Sequence, residues 1–354
     1  ELRENDYNLN IRRYADNTPD PEPQDVRAHL VGGVPIKEVR AKQSLFDAHG
    51  FDPMALFKAR ASDTAYIDFA DGLNERADLK PTIEANPSLQ AKEARLRDAF
   101  EAWWREHGPH ITALTGNGKN LTQLREDLLT SFTAALEPLA MLDPFAVRGI
   151  IAGFWEQNKN EFRTLQARGV TGVVDAWRTS IITLLEDEQS KANPLDHKLV
   201  GFLLADYVAA LEELQARKAE LDAQIKAAEA TPEDDEEAAE ADEDAPSPEQ
   251  IKGWKAERTK VTKQLKEQRA SFEAHLNEAV DALDQESAAE LVLTILHNDL
   301  SDLLERYVRQ QRQQIITAFE TWWDKYRVTL TDIEAERDAA AKQLREFLGA
   351  LGYV

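Results

Sequence analysis

Three stretches of this chain carry residue types that could do chemistry. Thr115-Gly116-Asn117-Gly118-Lys119-Asn120 has the glycines and the lysine of a phosphate-cradling loop. A working loop of that kind spaces Gly-x4-Gly-Lys-Ser/Thr after a buried strand. Here the spacing differs and the upstream segment reads as helix, so an interhelical turn is expected. His107-Gly108-Pro109-His110 offers two imidazoles, but Gly-Pro breaks the helix between them and no carboxylate stands at a fixed spacing nearby. A zinc-type site is therefore not expected. The third stretch is basic: Lys252, Lys255, Arg258, Lys260, Lys263, Lys266 and Arg269 face only Glu257 and Glu267 between 252 and 269. It could meet DNA phosphates or an acidic partner, but no aromatics are interleaved for base stacking. Ordinary helix salt bridges and the neighbouring acidic residues are the simpler account. Carboxylate pairs are too abundant on helix faces to single out a general acid.

Composition narrows the classes further. The 354 residues allow one large domain or two ordinary ones, and 42% hydrophobic content is enough for a core. With no Cys, disulfides and Cys-ligated zinc or iron–sulfur centres are excluded. No run of 18 apolar residues is present, so no membrane span is expected, and with no signal-peptide pattern the expected location is cytoplasmic. The formal charge is −23, and nine of the twelve residues from 233 to 244 are Asp or Glu. Without that run the balance is still about −14, so the bulk of the chain is not expected to be a principal DNA-binding surface.

The elements that would position these residues are mostly helices. Residues 5–14 alternate as a short extended segment, and Pro19, Pro21 and Pro23 continue it as a connector. A short helix is expected at 25–30 and another at 35–48, ending at Gly50. Long amphipathic helices follow from about Ser88: one to Gly108, then 121–142, 143–166 and 173–188, with Gly169 and Gly172 marking a turn. Leu204, Tyr207, Leu211, Leu214, Lys218, Leu221, Ile225 and Ala228 alternate spacings of three and four, as do Ile251, Trp254, Arg258, Val261, Leu265, Gln268, Phe272 and His275. Two such seams joined by a polar connector predict an antiparallel coiled-coil hairpin of about 35–40 Å. Lys218 and Arg258 sit on the seam, where they set register. The connector is expected to be a disordered acidic tip. Helices at 288–326 and 332–348 complete the chain, the last capped by Thr331 with Glu334.

The fold class is thus mainly α: a multi-helix domain with a long antiparallel coiled-coil hairpin and a short extended N-terminal segment. The expected division is an extended connector at 1–24, a helical domain at 25–198, the hairpin at 199–285 with its tip at about 231–248, and C-terminal helices at 286–354. One internal echo crosses this division. Ala99-Phe100-Glu101-Ala102-Trp103-Trp104 matches Ala318-Phe319-Glu320-Thr321-Trp322-Trp323, 219 residues on. It reads either as two equivalent docking surfaces or as two helices that each bury paired indoles. Adjacent indoles point about 100° apart, so one of each pair could face a partner.

The two ends of the chain carry a resemblance. Asn5-Asp6-Tyr7-Asn8-Leu9-Asn10-Ile11-Arg12-Arg13-Tyr14 follows a first residue that is Glu, not Met. Near the other end stand Trp322-Trp323-Asp324-Lys325-Tyr326, Thr329 to Glu334, and Phe347-Leu348-Gly349-Ala350-Leu351-Gly352-Tyr353. The opening resembles the segment after the catalytic domain, and the closing motifs the tail, of the modification (M) subunits of type I restriction–modification systems. Those subunits are DNA adenine methyltransferases that use S-adenosylmethionine. The middle, especially 25–188 and the hairpin, looks like a larger variant than the compact family type.

The resemblance implies that this chain is the C-terminal region of such a subunit. The family's Asn-Pro-Pro-Tyr/Phe loop is absent; Asn86-Pro87-Ser88-Leu89 and Asn193-Pro194-Leu195-Asp196 read as helix starts. The glycine-rich cofactor loop is missing too, so no cofactor and no methylation are expected of this chain alone, S-adenosylmethionine belonging to the parent. The implied partners are the specificity and restriction subunits, with DNA reached through the assembled complex. Ala318–Tyr353 would be the docking element, with Trp322, Tyr326, Phe347 and Leu351 as exposed anchors. The alternative is a free-standing coiled-coil protein that self-associates through its hairpin. An acidic DNA mimic built on 233–244 lacks ordered charge spacing, and an autonomous helical enzyme has no site to name.

Overall fold

A computed structural model of the chain describes residues 22–61, 63–114, 120–187, 189–229, 246–351 and 353. The alternating segment 5–14, most of the proline connector, the phosphate-loop-like 115–119, the acidic run 233–244 and Gly352 lie outside the described residues.

The protein is mainly helical. In chain order the elements begin with α1 (Val26–Val31), β1 (Val34–Pro35), α2 (Ile36–Ala41), α3 (Gln43–His49), β2 (Phe57–Ala59), β3 (Tyr66–Phe69) and α4 (Leu79–Glu84). Then come α5 (Pro87–His107), α6 (Pro109–Thr112), α7 (Leu121–Leu136), α8 (Pro144–Gln157), α9 (Lys159–Glu186) and α10 (Lys198–Leu203). The hairpin helices α11 (Ala205–Glu229) and α12 (Pro248–Asp281), the long α13 (Gln285–Tyr326) and α14 (Leu330–Ala350) complete the series.

These elements form two compact units that do not follow the consecutive division read from the sequence. The first takes residues within 1–97, 140–142 and 308–354, so it joins the N-terminal elements to the C-terminal ones; the second takes 98–139 and 143–307. Helices α5 and α13 contribute residues to both.

The first unit holds a small sheet that helix periodicity in the sequence does not signal. Its order is β1-β3-β2, all antiparallel, with Val34 opposite Ile67 and Phe57 opposite Phe69. The strands are two to four residues long, too short for period-2 alternation to register. The helix expected at 35–48 is broken at Lys42 into α2 and α3. Against the sheet packs the end of α13: Ile315, Phe319, Trp322 and Tyr326 fall at spacings of four and three on one face, and all are buried. Phe319 stacks on Phe57 at 5.1 Å and meets Phe46, Phe51 and Trp322 at 5.4–5.8 Å; Trp323 meets Phe69 edge-on at 4.8 Å.

The second unit buries one face of each helix. Leu124, Leu128, Phe132 and Leu136 recur every fourth residue along α7, opposite Val147, Ile150, Ile151 and Phe154 of α8. The helix expected at 143–166 ends at Asn158. This buried residue separates α8 from α9, its Nδ2 donating to the Phe154 carbonyl and its Oδ1 accepting from Lys198. Gly169, at φ 74°, breaks the helical dihedrals inside α9, a conformation that suits glycine.

Helices α11 and α12 pair as the hairpin, with Leu211, Leu221, Val261 and Leu265 as its core. Apart from Arg258, which is exposed, the expected seam residues of α12 are buried or half-buried through Phe272, but the next position is Leu276 rather than His275, which is exposed. Of the basic residues of α12, Lys255 pairs with Glu229 at 2.7 Å and Arg258 with Asp222 at 2.5 Å. Lys218 also bonds Asp222, at 3.0 Å, so the two cationic seam residues share one carboxylate. Arg217 adds a forked pair to Glu257 at 2.9 and 3.0 Å. Lys218 and Arg258 hold Asp222, and Arg217 holds Glu257, below the ordinary carboxylate range. Depressed folded-state values mean stability that is present at neutral pH and lost as pH falls through them. Protection of the amides across α11 and α12, taken relative to the intrinsic exchange rate at each pH, is expected to fall as pH drops below about 5, and Asp222→Asn is expected to reduce that acid response.

Candidate docking site

The expected anchors divide cleanly. Trp322 and Tyr326 are 4% and 3% exposed, so neither is an exposed anchor. They point inward because the apolar stripe of α13 runs unbroken from Ile315 to Tyr326 and covers the sheet. Phe347 and Leu351 are 66% and 71% exposed. The echo is resolved in the same way. Phe100 and Trp103 are buried and Trp104 is half-buried, with Trp103 Nε1 donating to Ser131 Oγ at 2.9 Å. Trp322 and Trp323 are both buried. Both copies are core helices that bury indoles.

What remains on the surface is α14. Its 21 residues include no buried one. Projected at about 100° per residue, Leu330, Ile333, Ala340, Ala341, Leu344, Phe347, Leu348 and Leu351 fall within one face about 120° wide. Arg337 is the one polar residue on that face. Leu330, Ile333, Arg337, Ala340, Leu344, Phe347 and Leu351 alternate spacings of three and four, the seam of a helix that pairs with other helices. Leu348 is half-buried and the rest of the face is exposed.

The root of this helix is fixed to the first unit. Its N-cap is Thr329, two residues before the expected Thr331: Thr329 Oγ1 accepts from the Asp332 amide at 3.1 Å and the Asp332 carboxylate accepts from the Thr329 amide at 3.0 Å. The Thr329 hydroxyl, donating to the Asp332 carboxylate at 2.7 Å, and then the Thr329 amide lower the Asp332 pKa. The capping box is therefore Thr329 with Asp332, not Thr331 with Glu334. Thr331 instead donates to the Leu30 carbonyl at 2.8 Å and ties α14 to α1. Gly32 lies at this junction with φ 79°, and a Cβ there would come within 3.0 Å of the Thr329 methyl.

Beneath the root sits a charged cluster that sequence reasoning missed. Glu38 is buried; its Oε1 accepts from the Tyr326 hydroxyl at 2.7 Å and its Oε2 from Lys325 Nζ at 3.1 Å. Lys325 also donates to the Pro23 carbonyl at 2.5 Å and approaches Glu22 at 3.3 Å. Burial, and then the Glu38 bond, push the Tyr326 pKa up. The available signal was Trp-Asp-Lys-Tyr at the end of an apolar stripe, but nothing in the sequence pairs it with Glu38, 287 residues earlier. One polar cavity of about 460 Å³ opens nearby, lined by Lys58, Arg60, Asp68, Arg327 and Asp332 among others. Arg60 is already engaged there by the Val31 and Gly32 carbonyls and Asp68, and Lys58 by Asp71.

Among the described residues, no group of three or more His, Asp or Glu is placed to hold a metal ion. No described helix is long and apolar enough to cross a membrane. Comparison with protein-family models, with curated proteins and with solved structures finds no match for this chain. Fold and surface together define a mainly helical protein that carries an exposed amphipathic helix on a fixed root.

Proposed function

We propose that this chain is the C-terminal helical region of a type I restriction–modification DNA methyltransferase subunit, and that α14 docks on the specificity subunit. The observation that supports this reading most is α14 itself: eight apolar residues on one face of a helix, none of them buried. Apolar surface on that scale and at coiled-coil spacing marks an interaction site. The opening and closing motifs agree with it, since they resemble the segments that bracket this region in M subunits. In this reading S-adenosylmethionine chemistry belongs to the parent subunit, the restriction subunit and DNA are met through the assembled complex, and the location is cytoplasmic. The docking element narrows from Ala318–Tyr353 to α14 and the residues after it, with Phe347 and Leu351 kept as anchors. The self-associating alternative gains little, because the hairpin seam is already filled by α11 against α12.

The test is deletion of 332–354. Capture of the specificity subunit is expected to be lost while circular dichroism and thermal unfolding of the remainder change little. Capture that survives the deletion would remove the proposal.

A further inference from the structure

The face of α14 is not uniform, and its pattern specifies the surface it fits. From Ala340 to Leu351 the apolar strip is broad: Ala341 and Leu348 widen the seam formed by Ala340, Leu344, Phe347 and Leu351. From Leu330 to Asp338 it narrows to Leu330 and Ile333, flanked on its two sides by Glu334 and Glu336, with Asp332 and Asp338 further round. Four carboxylates thus crowd the first half of the helix, whereas Lys342 and Arg345 outnumber Glu346 in the second. Part of that gradient serves the helix itself, since acids near the N-terminus and bases near the C-terminus complement its dipole. The dipole does not explain why Glu334 and Glu336 straddle the seam, nor why a guanidinium lies on it. Arg337 contacts Asp338 through Nε and Nη2 at 3.0 and 2.8 Å, with both side chains about two-thirds exposed. An exposed pair of this kind contributes little and is readily exchanged for a better partner.

We infer that α14 fits a groove between two helices of the specificity subunit that is broad and apolar at one end, edged with Lys or Arg at the other, and carries a carboxylate opposite Arg337. This deepens the docking reading above and stands on it. A cation desolvated in a seam needs a carboxylate facing it, and such single polar seam residues fix register in coiled coils. Flanking charges then select the partner and its orientation. Phe347 and Leu351 supply the affinity; Glu334, Glu336 and Arg337 supply the register.

The experiment compares capture of the specificity subunit of the same system by the full chain and by two variants. These are Arg337→Glu and the double variant Glu334→Lys/Glu336→Lys, with circular dichroism to confirm that α14 stays helical. At about 50 mM salt each variant is expected to bind at least tenfold more weakly than the parent. Raising the salt is expected to weaken the parent more than the double variant. A compensating Asp/Glu→Arg change in the groove, opposite position 337, should restore binding of Arg337→Glu. Equal capture of all three chains would overturn this inference while leaving the docking reading intact. If the unmodified chain captures nothing, the docking reading itself falls, and the inference with it. A monomer–dimer equilibrium abolished by Leu344→Asp, with no capture, would show a second copy as the occupant and overturn both.

Discussion

Phe319→Ala is expected to destabilise the protein by about 3–5 kcal/mol, the cost of removing a fully buried aromatic that its surroundings cannot refill. Phe319 has no exposed surface and meets four aromatic rings, on α3, on the segment after it, on β2 and on its own helix. Phe46, Phe51 and Phe57 come from one short stretch of chain and Phe319 from α13, more than 250 residues later, so collapse around the cavity would have to move α13 against that whole stretch. Chemical denaturation followed by Trp fluorescence measures the loss, because Trp322 and Trp323 share this core. Phe347→Ala provides the contrast. It removes the same side chain from an exposed helix face, and the expected change in stability is within about 0.5 kcal/mol. One phenylalanine holds the unit together and the other is available to a partner.

Lys325→Met is expected to cost about 3 kcal/mol or more. The substitution keeps the aliphatic stem but leaves the buried Glu38 carboxylate with the Tyr326 hydroxyl alone, and breaking one side of a buried pair is costly. It also removes a donor from the Pro23 carbonyl. Glu38→Gln together with Lys325→Met should recover part of the loss, because no unpaired charge then remains. A double-mutant cycle by urea denaturation gives the coupling. Non-additivity of a kilocalorie or more is expected; simple additivity would mean that the two groups do not act as a pair.

These two sites show what the sequence made legible. The stripe Ile315, Phe319, Trp322, Tyr326 is readable from spacing alone, as are the hairpin seams and the heptad of α14, because helical periodicity is local. What that stripe packs against is not local. Strands of two to four residues leave no period to detect, and the partnership of Glu38 with Lys325 is set by tertiary contact. The same limit explains why Trp322 and Tyr326 were expected as exposed anchors. An aromatic at the end of a helix reads alike whether it covers a sheet or awaits a partner, and the deciding residues here, Phe46 and Phe57, lie more than 250 positions away. The shift of the cap from Thr331 to Thr329 is of another kind. Both threonines have an acid three residues later, and the choice falls to Thr329 while Thr331 is held by the Leu30 carbonyl.

The most direct measurement of the docking account is hydrogen–deuterium exchange of the full chain, alone and with the specificity subunit. In the free chain, amides of 334–351 are expected to exchange faster than those of the buried end of α13, since α14 buries none of its residues. With the specificity subunit present, strong protection is expected over 330–351 and little change at 315–326. A complex that forms while α14 exchanges as before would contradict the account.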